Sequence, residues 1–127
     1  MSEDCPIVFV YGTLKQGYSR ADCLQGQLFL GPAETVPGYK LYDNGSYPAM
    51  ILSECRSAVR GELWEVDAAC LAILDQIEGV PVLYQRTVVE LSTHPGDLVQ
   101  SYLYCQSLDG WREIGSSWPA ESSSEAL

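Results

Sequence analysis

Basic residues are scarce in this chain: seven Lys and Arg stand against seventeen Asp and Glu over 127 residues, a formal charge of −10. So acidic a surface repels phosphate backbones and anionic headgroups, which argues against nucleic acid or a charged membrane as partner. Apolar runs are short, and none approaches the ~20 residues that a bilayer-spanning helix needs. Nothing at the N-terminus reads as a secretory leader. The five cysteines (Cys5, Cys23, Cys55, Cys70 and Cys105) are odd in number, scattered, and form no C-x-x-C pair. A reduced, cytoplasmic protein is therefore expected, with the cysteines serving as small apolar core residues. Histidine occurs once, as His94 in the turn-like Thr93-His94-Pro95-Gly96-Asp97, without neighbouring ligands at metal-site spacing, so no metal is expected. The G-x-S-x-G and G-x-x-x-x-G-K-[ST] spacings are missing, which removes the nucleophile elbow and the P-loop.

What is present points to one small domain. A chain of this length buries roughly two-thirds of the surface its unfolded form exposes. Residues 7–11 form a continuous apolar run that stops at Gly12, the pattern of a buried strand followed by a loop. A short helix is suggested over 19–25. Residues 27–36 read as a strand with a bulge or edge position at Gly31-Pro32. Strands over 39–42 and 49–52 flank the turn Asp43-Asn44-Gly45-Ser46, and another covers 58–66. Residues 84–91 and 98–105 form a hairpin around Pro95-Gly96. Residues 111–118 look irregular but aromatic, and 119–127 are polar enough to form a flexible tail. With no linker and no repeat, residues 1–118 are expected to be a single α+β domain: a small, mostly antiparallel, barrel-like sheet of six or seven strands with one main helix.

That helix follows Asp67, a suitable N-cap, and carries Cys70, Ile73, Leu74 and Ile77 as an apolar stripe. Gly79 and Pro81 end it. Glu78 is out of place, because a carboxylate in the last turn faces the negative end of the helix dipole. It is either a solvated residue on an acidic surface or a carboxylate whose pKa is raised for proton transfer. Asp75, one turn earlier, is a potential partner for it, or for Arg86 in the next strand. The loop Tyr11-Gly12-Thr13-Leu14-Lys15 is either a plain strand-ending turn or a concavity of backbone N–H groups suited to an anion. Tyr11, Tyr84, Tyr102 and Tyr104 are strand tyrosines, some of which present hydroxyls to a pocket if one exists.

Taken together, Val10-Tyr11-Gly12-Thr13-Leu14-Lys15, Tyr42-Asp43-Asn44-Gly45-x-Tyr47-Pro48-Ala49, Val59-x-Gly61-Glu62-Leu63-Trp64 and Leu74-Asp75-x-x-Glu78-Gly79-Val80-Pro81-x-x-Tyr84-x-Arg86 resemble the γ-glutamylcyclotransferase-like (AIG2-like) family in order and spacing. Residues 114–118 resemble that family's closing segment loosely. The resemblance implies a small γ-glutamyl substrate closed to 5-oxoproline with release of an amine or amino acid, with no metal and no cofactor. It implies that Tyr11, Gly12, Thr13 and Leu14 hold the γ-glutamyl group through backbone donors, that Glu78 is the acid/base, and that Tyr84 belongs to the pocket. The oxyanion donor is then either the loop N–H groups or the Tyr84 hydroxyl. The rival expectation is a non-catalytic γ-glutamyl-binding module of the same fold. Leaving group and oligomeric state stay open at this level.

Overall fold

A computed structural model describes residues 5–119. In chain order the strands are β1 (Ile7–Val10), β2 (Leu28–Glu34), β3 (Tyr39–Asp43), β4 (Pro48–Leu52), β5 (Arg60–Glu65), β6 (Tyr84–Val89), β7 (Val99–Tyr104) and β8 (Arg112–Ile114), with one α-helix, α1 (Ala68–Ile77), between β5 and β6. Five strands make a sheet in the order β2-β5-β1-β7-β6, and three make a second in the order β4-β3-β8. Every named pairing is antiparallel except β1 with β7. A bridge between Thr35 and Leu91, just past the ends of edge strands β2 and β6, draws the larger sheet toward closure. The α+β, barrel-like expectation matches this architecture.

The apolar run of β1 has a simple cause: the strand is buried on both faces. Side chains alternate along a strand. Phe9 therefore packs with Tyr39, Leu41, Met50 and Leu63 between the two sheets. Val8 and Val10 pack on the other side with Trp64, Cys70 and Leu74, beneath α1. Strand β2 is an edge strand whose register shifts between Phe29 and Gly31, so both anticipated features occur together. Asp67 caps α1 by accepting from the Cys70 N–H at 2.7 Å.

Several expectations need correction. Ile73 is half-exposed, and the inward stripe of α1 runs through Cys70 and Leu74 instead. Residues 19–25 hold only a single 3-10 turn at Ala21–Leu24. The segment after residue 111 is not wholly irregular, since β8 pairs with β3. The segment that follows packs back: the Arg60 N–H donates to Ser116 O at 2.7 Å, and Trp118 Nε1 donates to Asp43 Oδ1 at 3.0 Å. Of the five thiols only Cys70 is buried; Cys23 is partly buried against the same apolar cluster, Cys55 is half-buried, and Cys5 and Cys105 are exposed, so the expectation holds for part of the set. Residues 120–127 of the expected tail lie outside the described residues. No helix among the described residues is long and apolar enough to cross a membrane.

Gly61 shows how closely β5 approaches β1. A Cβ there would lie 2.3 Å from Val10 O and 2.9 Å from the Phe9 ring. Neither neighbour can retreat without disturbing the core. Gly61→Ala is expected to lower the unfolding free energy by about 1–3 kcal/mol, read as a lower urea midpoint at unchanged m-value.

Candidate active site

The chain leaves β1 at Tyr11, whose buried hydroxyl donates to Tyr102 O at 2.6 Å and accepts from the Met50 N–H at 3.2 Å. This ties the loop's first residue to β7 and β4 at once. Gly12 follows because Pro48 leaves no room for a side chain: a Cβ would sit 2.7 Å from Pro48 Cγ. The loop then turns tightly, with the Lys15 N–H on Gly12 O at 3.0 Å and the Arg20 N–H on Thr13 O at 2.8 Å. Among the described residues, the N–H groups of Gly12, Thr13 and Leu14 meet no acceptor.

Opposite this loop, α1 ends in a Schellman arrangement. The Val80 N–H reaches Asp75 O at 3.0 Å, the Gly79 N–H reaches Gln76 O at 3.1 Å, and Gly79 adopts φ +67°. Val80 packs into the same apolar cluster as Leu74, the hydrophobic contact that accompanies this motif. Glu78 is thereby held as the residue that caps the helix just past Ile77, its side chain only 13% exposed. The neighbouring turn Asp43 to Tyr47, closed by Asn44 Oδ1 accepting from Ser46 and Tyr47 at 2.9 Å, delivers Tyr47 and Pro48 to the same place.

These elements enclose a pocket of about 640 Å³ counted to its open mouth. Tyr11, Gly12, Thr13, Leu14, Glu78 and Tyr84 all line it, so the six residues singled out from the sequence converge on one cavity. Burial raises the Glu78 carboxyl pKa to about 7, and the guanidinium of Arg20, 4.0 Å away, pulls weakly the other way. Asp75 has a different fate. It accepts from the Tyr102 hydroxyl at 2.8 Å and pairs with Arg86 Nε at 3.4 Å, the partnership anticipated for it. Three residues apart on one helix, one carboxylate is compensated and the other is nearly bare.

Of the four strand tyrosines, Tyr11, Tyr84 and Tyr102 line the cavity, and each hydroxyl donates to a protein acceptor. Tyr84 donates to Pro48 O at 2.7 Å, so its single proton is already committed and the hydroxyl is no free oxyanion donor. Burial first and the Glu78 charge second push its pKa upward, which keeps that proton in place. Tyr11 is likewise raised, again chiefly by burial. Sequence reading overlooked Arg20 and gave Tyr102 no definite role, although both line the cavity. Arg20 reaches α1 only through the folded loop, donating to Ile77 O at 3.5 Å, and no local signal marks it. Among the described residues no group of three or more His, Cys, Asp or Glu is placed to hold a metal ion.

Residues 8–120 match the family model described as γ-glutamyl cyclotransferase, AIG2-like. A putative γ-glutamylcyclotransferase of Vibrio cholerae is 48% identical over 84 residues, covering 66% of this chain and 71% of that protein. The γ-glutamylaminecyclotransferase of Rattus norvegicus is 35% identical over 112 residues, 76% of this chain and 75% of its own. Among solved structures, an AIG2-like protein from Mus musculus superposes with a TM-score of 0.65 at 32% identity, covering 81% of this chain and 78% of that one.

The raised carboxyl has a consequence for stability. Its pKa is 4.5 when unburied and about 7 in the fold, so between those pH values the native state binds the additional proton. Stability from this group is then greatest at low pH and falls as pH rises from about 4.5 to about 7. Glu78→Gln has no charge to bury and is expected to gain on the wild type across that window, by at most on the order of 3 kcal/mol. Urea denaturation of both proteins at pH 5 and pH 8 measures this; an equal gap at the two pH values would contradict the buried charge.

Proposed function

The chain belongs to the γ-glutamyl cyclotransferase, AIG2-like family, and on that premise we propose that it closes the γ-glutamyl group of a small amide or peptide to 5-oxoproline, with Glu78 as the proton carrier. The observation that supports this most is a nearly bare carboxyl of pKa about 7 sharing a cavity with the Gly12, Thr13 and Leu14 N–H groups, which meet no acceptor among the described residues. Such a group takes and returns a proton near neutral pH with little free-energy cost in either direction.

The reaction needs no nucleophile from the protein. Glu78 takes a proton from the substrate's α-ammonium, and the freed amine attacks the γ-carbonyl carbon of the same molecule. A carbon–nitrogen bond forms and closes a five-membered ring, while the carbonyl oxygen gains negative charge. The N–H groups of Gly12, Thr13 and Leu14 are the donors for that oxyanion, since the Tyr84 proton is held by Pro48 O. The tetrahedral species then expels the amine: the original carbon–nitrogen bond breaks, its electron pair stays on the leaving nitrogen, and Glu78 delivers its proton there. One bond is made and one broken, and two protons leave the α-nitrogen: Glu78 relays the first to the departing nitrogen, and the second, shed by the ring nitrogen as the lactam forms, ends on the released amine as its ammonium, with no water or electron consumed. Folding the substrate so that its own two ends meet accounts for much of the acceleration. The pocket does this with a rigid rim, because Tyr11, Gly12 and Tyr84 are each fixed by contacts to β4, β7 or the residue Pro48.

The relatives named γ-glutamylaminecyclotransferase make γ-glutamyl amines the first compounds to supply. Release of 5-oxoproline is expected from the wild type, with an acidic limb in kcat/KM near pH 7. Glu78→Gln is expected to lose a factor of about 10²–10⁴ in kcat while keeping its circular dichroism spectrum and unfolding cooperativity. Full activity in that variant would refute the role of Glu78; ligand-dependent thermal stabilisation without turnover across a γ-glutamyl panel would identify a binding module instead.

A further inference from the structure

A γ-glutamyl substrate carries two charges on its α-carbon, an ammonium and a carboxylate. The proposed chemistry uses the ammonium and leaves the carboxylate without a partner. Burying an uncompensated carboxylate is costly, so the pocket must supply donors for it. Among the described residues that line the cavity, Arg20 is the one with a positive charge. The nearest rivals are occupied elsewhere: Lys15 Nζ donates to Trp118 O, and Arg86 is paired with Asp75.

Arg20 is also held as a receptor would be. Its backbone N–H on Thr13 O, at 2.8 Å, fixes it to the rim of the loop. Its guanidinium is half-exposed and touches α1 only weakly, at 3.5 Å to Ile77 O and 4.0 Å to Glu78 Oε2. A contact of 4.0 Å is too long for a hydrogen bond, so most of its five N–H donors are unused by those contacts. Two bonds of about 1.5 Å separate the nitrogen and carboxyl carbon of an α-amino acid, placing them roughly 2.5 Å apart. That spacing suits a carboxylate and a guanidinium standing side by side.

Resting on the cyclotransferase reading, we infer that Arg20 is the receptor for the α-carboxylate, forming with Glu78 a two-charge clamp for the zwitterionic end of the γ-glutamyl group. The planar fork of arginine grips a carboxylate bidentately. Entry of substrate exchanges one long ion pair for two short ones. The loop amides are then left to the carbonyl oxygen where charge develops. The clamp also orients the ammonium toward Glu78, making Arg20 a determinant of specificity for substrates with an intact α-carboxylate.

Binding separates this from catalysis. L-5-oxoproline, which retains the carboxylate, and 2-pyrrolidinone, which lacks it, are titrated by calorimetry or NMR into wild type, Arg20→Ala and Arg20→Lys. A wild-type preference for 5-oxoproline of about tenfold is expected, falling to within twofold in Arg20→Ala and partly kept in Arg20→Lys. In turnover, Arg20→Ala is expected to lose about tenfold more kcat/KM on a γ-glutamyl amide than on the 4-aminobutyryl amide of the same amine. Absence of a carboxylate preference in the wild type, or its survival in Arg20→Ala, overturns the assignment. A carboxylate preference that depends on Arg20, in a protein that releases no 5-oxoproline, supports the clamp and defeats the cyclisation reading instead.

Discussion

One phenol hydroxyl holds this fold together at the place where it matters. Tyr11 gives its proton to a β7 carbonyl and takes one from a β4 amide, joining the two sheets at the exit of β1. Each bond contributes only about 1 kcal/mol net, but losing the hydroxyl would strand two buried backbone groups, a larger penalty. Burial drives its pKa upward, so the bridge persists at any pH the protein meets. The position of the Gly12 to Leu14 loop follows from it, and the packing of Gly12 on Pro48 follows from that.

With the loop fixed, the pocket's electrostatics come down to how two carboxylates on α1 are treated. Asp75 lies against β6 and β7, where Tyr102 and Arg86 satisfy it. Glu78 lies at the helix end over the cavity, where burial dominates and only a distant guanidinium compensates. The fold tolerates that expense because the helix terminus is secured independently, by the Asp75 and Gln76 carbonyls, by Gly79 and by Val80 in the apolar cluster. A group kept near neutrality in this way is a liability for stability and an asset for moving protons.

Much of this was legible beforehand because its causes are local. The double-faced burial of β1 shows as an unbroken apolar run, the cap of α1 shows as Asp67, and the end of α1 shows as Gly79 with Pro81. Glu78 stood out against the dipole, although its actual shift comes first from burial, which no helix rule reports. Ile73 was misread because the stripe on a helix packed against one sheet is narrower than periodicity alone suggests. Strand β8 was missed because three residues are too few to display alternation, and only pairing with β3 makes them a strand.

The amino-acid sequence by itself determined the kinds of element, the ends of the helix, the turns, and which carboxylate was anomalous, since each depends on residues within a few positions of one another. Only the tertiary structure decided that Tyr84 spends its proton on Pro48 O, that Tyr102 serves Asp75, and that Arg20 stands beside Glu78. Those outcomes are set by distances between side chains far apart along the chain, which depend on how sheets curl and loops close rather than on any neighbour in sequence.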